Sequence, residues 1–375
     1  MKLFTLVGTR PELIKLSETI KELDRSVEHV LVHTGQNYDF ELNELFFEQL
    51  GIRKPDYFLD AVGTSPADTI ANVISKTDAL LDQVKPDAFL VYGDTNSCLG
   101  VISAKRRQIP IFHMEAGNRC FDQRVPEEIN RKIIDHLSDI NMVLSEHARR
   151  YLIMEGIKPE TIIKTGSSMM EVLNVHHKAI ENSKVLEQEG LEKEGYIIVS
   201  THREENIDSP ANFQALLDTL EALQKHFQKE VIVSTHPRTR NKLEAIGFVN
   251  KNSKIRFMKP FGFFEYIKLQ KEAFCVVSDS GTITEEASLL QIPAVTIRQA
   301  HERPEGMDEG TLIMTGLNPE NVVQAIEVTR NHFKDQIPFE VIEDYAVESV
   351  SKKVVKIILS YTGYINRTVW RKNDL

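Results

Sequence analysis

Short apolar runs, each closed by a polar loop and followed by a helical pattern, recur along this chain and restrict the folds open to it. Leu3 to Val7, His29 to His33, Ala88 to Tyr92, Ile109 to Met114, Ile140 to Leu144 and Ile162 to Thr165 make a first series. Tyr196 to Ser200, Val231 to Ser234, Phe274 to Val277 and Ala294 to Ile297 make a second. Continuous apolar runs of this length predict strands buried on both faces, which means parallel strands with helices packed on either side. The segments between them fit. Asp68 to Val84 places Ile70, Val73, Ile74, Leu80, Leu81 and Val84 on one side of a helix, and Leu42 to Leu50 also has helical spacing. No residue-level repeat links the two series, so the duplication is one of architecture. The polar, helical stretch from Met169 to Gly195 separates them. The expected organisation is therefore α/β, with two doubly wound Rossmann-like domains at 1–170 and 195–350. A linker at 171–194 joins them and a terminal segment, 351–375, follows. That segment turns aromatic and basic and holds the chain's only tryptophan, Trp370, which argues against a frayed tail.

Bulk properties narrow the partners. With 45 basic against 55 acidic residues the net charge is −10, which speaks against nucleic acid. No apolar run approaches the ~18 residues of a membrane span, and Met1 to Val7 is too short for a secretory signal. Cys98, Cys120 and Cys275 are far apart and odd in number, which fits a reducing cytoplasm better than a disulfide framework.

In doubly wound sheets ligands bind beyond the carboxyl ends of the strands, so the residues there carry the functional argument. Glu115 follows the run ending at Met114, and a carboxylate in that place is costly unless paired or used. Gly117 permits a sharp turn, and Pro126 suits the start of a helix whose first turn holds Glu127 and Glu128. Those two need no explanation beyond the helix dipole when taken alone. Arg119, Arg124 and Arg131 stand nearby as counter-charges. Asp94 closes the preceding strand; helix capping is its simplest role, yet two carboxylates at successive strand ends also fit a shared cleft. Gly8-Thr9-Arg10-Pro11 reads as a turn into a helix, where Arg10 and Lys15 add charge to an anion site. Ser280-Gly281-Thr282 offers amides and hydroxyls to a pyrophosphate at another helix start. Arg10, Lys15, His202, Arg203, His236, Arg238 and Arg303 all fall on expected strand-to-helix loops, a basic set suited to a nucleotide diphosphate. There is no Gly-x-Gly-x-x-Gly and no compact His or Cys pair, so neither a dinucleotide cofactor nor a metal is signalled. Carboxylates beside a phosphate site then suggest proton transfers at carbon or oxygen.

Glu115-Ala-Gly, followed by Pro126-Glu127-Glu128-Ile-Asn130-Arg131, resembles the signature of the non-hydrolysing UDP-N-acetylglucosamine 2-epimerases. The resemblance covers nearly the whole chain, with five separate motifs in order. It implies two domains facing across a cleft in a glycosyltransferase-B-like arrangement, with the terminal helix crossing back onto the first domain. It also implies a cytoplasmic homodimer, a UDP-activated N-acetyl sugar as substrate, and no cofactor. UDP leaves as the carbon 2 proton is removed, giving a 2-acetamidoglycal, and then re-adds while a proton arrives on the opposite face. By motif match Asp94, Glu115 and Glu127 resemble the family's acid–base carboxylates and His202 its essential histidine. Arg10, Lys15, Ser280, Gly281, Glu286 and Arg303 match its nucleotide-sugar contacts. Arg131, His236 and Thr282 join them as substrate-binding candidates, and Tyr266 takes the place of an aromatic near the base. Which carboxylate removes the proton is left open.

The departures are informative. The family's Ser-Gly-Gly-Ile-Gln-Glu-Glu is here Ser280-Gly281-Thr282-Ile283-Thr284-Glu285-Glu286. Asn37-Tyr38-Asp39 and Gly63-Thr64-Ser65 lack the Gln and Arg residues of the bacterial allosteric site, so that regulation is not carried over. Thr201 to Asn206, Pro260 to Phe264 and Tyr364 to Lys372 look like a subgroup that makes UDP-N-acetyl-L-fucosamine from UDP-2-acetamido-2,6-dideoxy-L-talose, for capsule or O-antigen. The competing readings are a UDP-N-acetylglucosamine/UDP-N-acetylmannosamine 2-epimerase, a hydrolysing 2-epimerase and a glycosyltransferase of the same architecture. A transferase would need an acceptor channel, often basic and membrane-facing, and no amphipathic basic helix is present to serve one.

Overall fold

The computed structural model describes residues 1–35, 46–201, 203–300, 302–334 and 336–372. Met1–Val175 with Glu343–Leu375 forms one compact unit, and His176–Ile342 forms a second. The first unit is built on seven parallel strands: β1 (Lys2–Val7), β2 (Glu28–His33), β3 (Tyr57–Phe58), β4 (Ala88–Tyr92), β5 (Ile111–Ala116), β6 (Ile140–Val143) and β7 (Ile162–Lys164), in the order β3-β2-β1-β4-β5-β6-β7. β4 is buried at all five positions, as the unbroken apolar run requires. Phe4 and Phe89 stack across the β1–β4 pair at 5.2 Å between ring centroids. Around the sheet lie α1 (Arg10–Ser26), α2 (Pro66–Val84), α3 (Val101–Arg106), α4 (Pro126–Leu137) and α5 (Glu146–Met154).

α6 (Met169–Glu181) carries the chain from the first unit to the second, the boundary falling between Val175 and His176. The second unit repeats the architecture with six parallel strands: β8 (Tyr196–Thr201), β9 (Glu230–Thr235), β10 (Ile255–Met258), β11 (Cys275–Ser278), β12 (Ala294–Thr296) and β13 (Ile313–Met314), ordered β10-β9-β8-β11-β12-β13. Its helices are α7 (Val185–Glu189), α8 (Glu204–Ile207), α9 (Pro210–Phe227), α10 (Pro237–Ala245), α11 (Phe263–Glu272), α12 (Ile283–Leu290), α13 (Glu305–Asp308) and α14 (Pro319–His332). The last helix, α15 (Val350–Thr368), packs on α1 within the first unit. Lys105 lies 5.2 Å over the Trp370 ring, which holds the segment beyond α15 against α3.

One expectation changes here. β5 runs past Met114 to Ala116, so Glu115 lies inside a strand rather than after it. The sheet register shifts between Met114 and Ala116, and Glu115 takes a left-handed φ of 62°. It is the extra residue of a bulge, which is how a polar side chain is tolerated at that point of a buried strand. The helical spacing from Leu42 is described only from residue 46 onward, where the chain is helical to Leu50; residues 42–45 lie outside the described residues.

Candidate active site

Each sheet reverses its strand order once. In the first unit the reversal falls between β1 and β4, in the second between β8 and β11. A crevice opens where neighbouring crossovers leave on opposite faces, and this is where such folds bind ligands. The loops at these two points carry Asp94 and the Ser280-Gly281-Thr282 turn, and they lead into the helices that bear Arg10, Lys15 and Glu286.

In the first unit the loop after β1 is Gly8-Thr9, entering α1 at Arg10 with Pro11 in its first turn. A Cβ at Gly8 would lie 1.8 Å from Ser97 Oγ, so the β1 and β4 loops touch only because that position has no side chain. Glu12, buried on α1, closes the same gap. It accepts from Gly8 N at 2.6 Å and from Thr95 Oγ1 at 2.6 Å. Burial drives its pKa up to about 7, against the opposing pull of those hydrogen bonds. Arg10 and Lys15 lie on α1 rather than in the loop, and Lys15 is 2% exposed; α1 begins one residue earlier than the loop reading assumed. Arg10 is placed over the Phe46 ring at 5.6 Å.

Asp94 follows β4, and the cap position of the helical turn after it is taken by Thr95. Arg131 Nε donates to Asp94 Oδ2 at 2.7 Å, and Asn130 Nδ2 donates to the Asp94 main-chain oxygen at 2.9 Å. Glu115 stands on the adjacent strand. β4 and β5 pair in parallel with Tyr92 opposite Met114, and Gly93 N donates to Met114 O at 2.9 Å, so both carboxylates project from neighbouring strand ends. Glu115 Oε1 is 3.4 Å from Asn118 Nδ2.

Helix α4 ties these loops together. Glu128, Arg131 and Asp135 recur at helical spacing and are all buried. Glu128 accepts from the main-chain N of Cys120 and Phe121 at 3.1 and 3.2 Å and from Arg131 Nη1 at 2.8 Å. It is thus a clamp on the 117–121 turn, more than a dipole complement. Glu127, beside it in the first turn, is half-buried. The three expected counter-charges take different carboxylates, Arg131 pairing with Asp94 and Glu128. Arg119 turns to Asp135 and Glu155, and Arg124 to Asp122, because each has a carboxylate within reach that the linear sequence hides.

In the second unit the buried Asp279, just past β11, accepts from Thr201 Oγ1 at 2.8 Å, Arg203 N at 3.1 Å and Asn206 Nδ2 at 3.0 Å. It fastens the β8 loop to the β11 loop as Glu12 fastens its counterparts. The turn Ser280-Gly281-Thr282 leads into α12, but two of its amides are engaged within it: Ser280 N donates to Ser278 Oγ and Thr282 N to Ser280 Oγ. Thr282 Oγ1 donates to Glu286 Oε1 at 2.7 Å, and Gln270 Nε2 to Glu286 Oε2 at 2.7 Å. A Cβ on Gly281 would lie 2.9 Å from an Arg303 nitrogen, so the turn and the guanidinium are in close approach. Arg303 is buried and pairs with Glu285 at 2.8 Å; Arg298 and Arg203 both reach Glu302. Ser280, Gly281, Thr284, Arg298, Glu302 and Arg303 line one small recess. Burial and the Glu286 carboxylate push the Tyr266 hydroxyl well above its usual pKa. His236 leads into α10, its Nδ1 accepting from Arg238 N at 3.3 Å, and Arg238 lies on α10 itself and reaches Asp208. The His202 assignment lies outside the described residues.

Sequence reasoning missed Glu12, His113, Asp135 and Asp279. Each is a charged or titratable side chain that burial alone would penalise: His113 in an apolar strand, Glu12 and Asp135 on helices, and Asp279 just past β11. Among the described residues no helix is long and apolar enough to cross a membrane.

Comparison with known proteins adds the following. The family model for UDP-N-acetylglucosamine 2-epimerase matches residues 21–359. A solved structure of UDP-N-acetylglucosamine 2-epimerase from Rickettsia bellii is 53% identical, covers 99% of this chain and 100% of that one, and superposes with a TM-score of 0.91. UDP-N-acetylglucosamine 2-epimerase of Methanococcus maripaludis is 36% identical over 333 residues, 87% of this chain and 91% of that protein. UDP-2,3-diacetamido-2,3-dideoxy-D-glucuronate 2-epimerase of Pseudomonas aeruginosa is 34% identical over 331 residues, 87% and 91% of the two chains.

Proposed function

Since the chain belongs to the UDP-N-acetylglucosamine 2-epimerase family, a family of isomerases, we propose that it inverts carbon 2 of a UDP-activated 2-acetamido sugar by eliminating and re-adding UDP. The observation that carries this reading is the β4–β5 pairing, which sets Asp94 and Glu115 at adjacent strand ends with Arg131 bound to Asp94. One carboxylate takes the carbon 2 proton as the carbon 1–oxygen bond breaks, the electron pair leaving with the UDP β-phosphate. The 2-acetamidoglycal so formed receives a proton on its other face while UDP returns to carbon 1. Asp94, Glu115 and Glu127 serve as the acid–base set with His202, and general acid–base groups of this kind contribute roughly 10²–10⁴-fold. Cations answer the charge that develops on the leaving diphosphate. Arg10, Lys15, Arg131, His236 and Arg303 fill that role, with Ser280, Gly281, Thr282, Glu286 and Tyr266 as the other nucleotide-sugar contacts.

For the physiological sugar, our reading is UDP-2-acetamido-2,6-dideoxy-L-talose, converted to UDP-N-acetyl-L-fucosamine in the cytoplasm by a homodimer and used for surface polysaccharide. It rests on the subgroup resemblance at Thr201 to Asn206, Pro260 to Phe264 and Tyr364 to Lys372. A methyl at carbon 6 asks for an apolar wall, and the Phe261, Phe263 and Phe264 group offers one, with Phe263 and Phe264 centroids 5.9 Å apart. A second reading, interconversion of UDP-N-acetylglucosamine and UDP-N-acetylmannosamine, is favoured by the Rickettsia and Methanococcus relatives, both UDP-N-acetylglucosamine 2-epimerases. The test offers purified protein each UDP-sugar separately in heavy water, without an acceptor. Epimerised product with deuterium at carbon 2 is expected. Turnover only with an acceptor would identify a transferase, and stoichiometric free UDP a hydrolysing enzyme. Action on UDP-N-acetylglucosamine alone would replace the 6-deoxy substrate.

A further inference from the structure

A buried polar chain runs between the backbone beside Asp94 and the backbone beside Glu115. His113 Nε2 donates to Gly93 O at 2.7 Å, and Nδ1 lies 2.9 Å from Asp135 Oδ1. Asp135 also accepts from Gly117 N, at 3.2 Å to both oxygens, and from Arg119 Nη1 at 2.7 Å. Arg119 in turn donates to Glu155 from Nε and Nη2 at 2.8 and 2.6 Å, and to Asn118 O at 2.8 Å. His113, Asp135 and Arg119 are all 1% exposed or less. Burial alone would raise the Asp135 pKa, yet the His113 hydrogen bond and the neighbouring charges bring it below the usual carboxylate range.

The two anchor points matter most. Gly93 immediately precedes Asp94, and Gly117 is two residues beyond Glu115. Gly93, Glu115 and Gly117 all have left-handed φ, at 76°, 62° and 81°. Left-handed backbone at a non-glycine residue is strained and persists only where the surroundings over-determine it. Here the surroundings are this chain of hydrogen bonds. We propose that His113 and Asp135 are positioning residues, which fix the spacing of Asp94 and Glu115 by holding the Gly93 carbonyl and the Gly117 amide on one rigid pair. This rests on the proposed acid–base roles of the two carboxylates. Neither His113 nor Asp135 exchanges a proton with substrate. A group placed about 1 Å out of line loses on the order of 10²-fold in rate, with little effect on binding.

The test compares wild type with His113→Gln, His113→Asn and Asp135→Asn. It measures kcat, KM, the kinetic isotope effect with substrate deuterated at carbon 2, and thermal melting. A Gln amide can stand in for Nε2 and keep the Gly93 contact; an Asn amide stands in for Nδ1 and loses it. The expected result is a fall in kcat of at least about tenfold for His113→Asn and Asp135→Asn, KM within about threefold, a larger isotope effect, and partial recovery in His113→Gln. A fall in kcat matched by loss of folded protein, with the isotope effect unchanged, would make the network structural and overturn the proposal; so would unaltered kcat. Should Asp135→Asn not fold, the two His113 variants decide. Inactivity of wild type on both UDP-sugars would remove the proposed function, and a crystal structure of His113→Asn would still judge the positioning claim. Glu115 leaving its left-handed conformation supports it, and unmoved Asp94 and Glu115 overturn it.

Discussion

Arg131 Nε lies 2.7 Å from Asp94 Oδ2 while its Nη1 lies 2.8 Å from Glu128 Oε2, so one buried guanidinium joins the β4 loop to α4. Glu128 is 1% exposed, and removing its partner strands a carboxylate in the interior. Arg131→Met is expected to lower stability by about 3–5 kcal/mol, the usual result of breaking a buried pair from one side. Adding Glu128→Gln should restore a good part of that loss. Urea unfolding of the two single variants and the double variant measures the coupling, and strict additivity would show that the pair does not act as one.

Asp94→Asn, Glu115→Gln and Glu127→Gln keep size and hydrogen-bonding capacity while removing a charge that can exchange a proton. Each should lower kcat by ~100-fold or more with the fold intact by circular dichroism. Wild-type rates in all three would remove the acid–base assignment.

Glu12 sets a pH dependence of stability. Its folded pKa, near 7, lies above the ordinary 4.5, so the folded state holds this proton more tightly than the unfolded chain. The resulting stabilisation is full below about pH 4.5 and is lost as pH rises through 7, about 3 kcal/mol in all. Glu12→Gln can still accept from Gly8 N and donate to Thr95, without the titrating charge. Its stability relative to wild type should therefore improve between pH 5 and pH 8, as read by chemical denaturation across that range. A constant difference between the two proteins would contradict the assignment.

Gly117 combines a φ of 81° with a site where a Cβ would come within 2.7 Å of Ala148 O. Gly117→Ala should cost about 1–3 kcal/mol from backbone strain alone, with more from the clash. Differential scanning calorimetry would register a melting point lowered by several degrees.

What the sequence disclosed, and what it hid, follows from how local each signal is. β4 was legible to the residue because Ala88 to Tyr92 is an unbroken apolar run buried on both faces. β3 and β13 were not, since two residues with exposed side chains carry no period. The run from Ile109 to Met114 suggested that β5 stops before Glu115, because a bulge leaves no mark in hydrophobic pattern. The β4, β5 and β11 loops were correctly picked out as the polar sequels to apolar runs. Their internal bonding was not visible: Arg119, Arg124 and Arg131 all flank Glu127 in sequence, yet only the fold decides which carboxylate each one meets. Asp135 and Glu12 read as ordinary charged helix residues until their burial is known.

The placement of α15 bears on how this chain is made. The second unit is one uninterrupted stretch, 176–342, while the first is composed of 1–175 and 343–375. A ribosome therefore delivers every residue of the second unit before it delivers the helix that α1 packs against. Until then the first unit must wait with that side of α1 uncovered, although its strands were synthesised earliest. Domains made early usually fold early. Here the order of completion runs the other way, and the unit begun first is the one finished last.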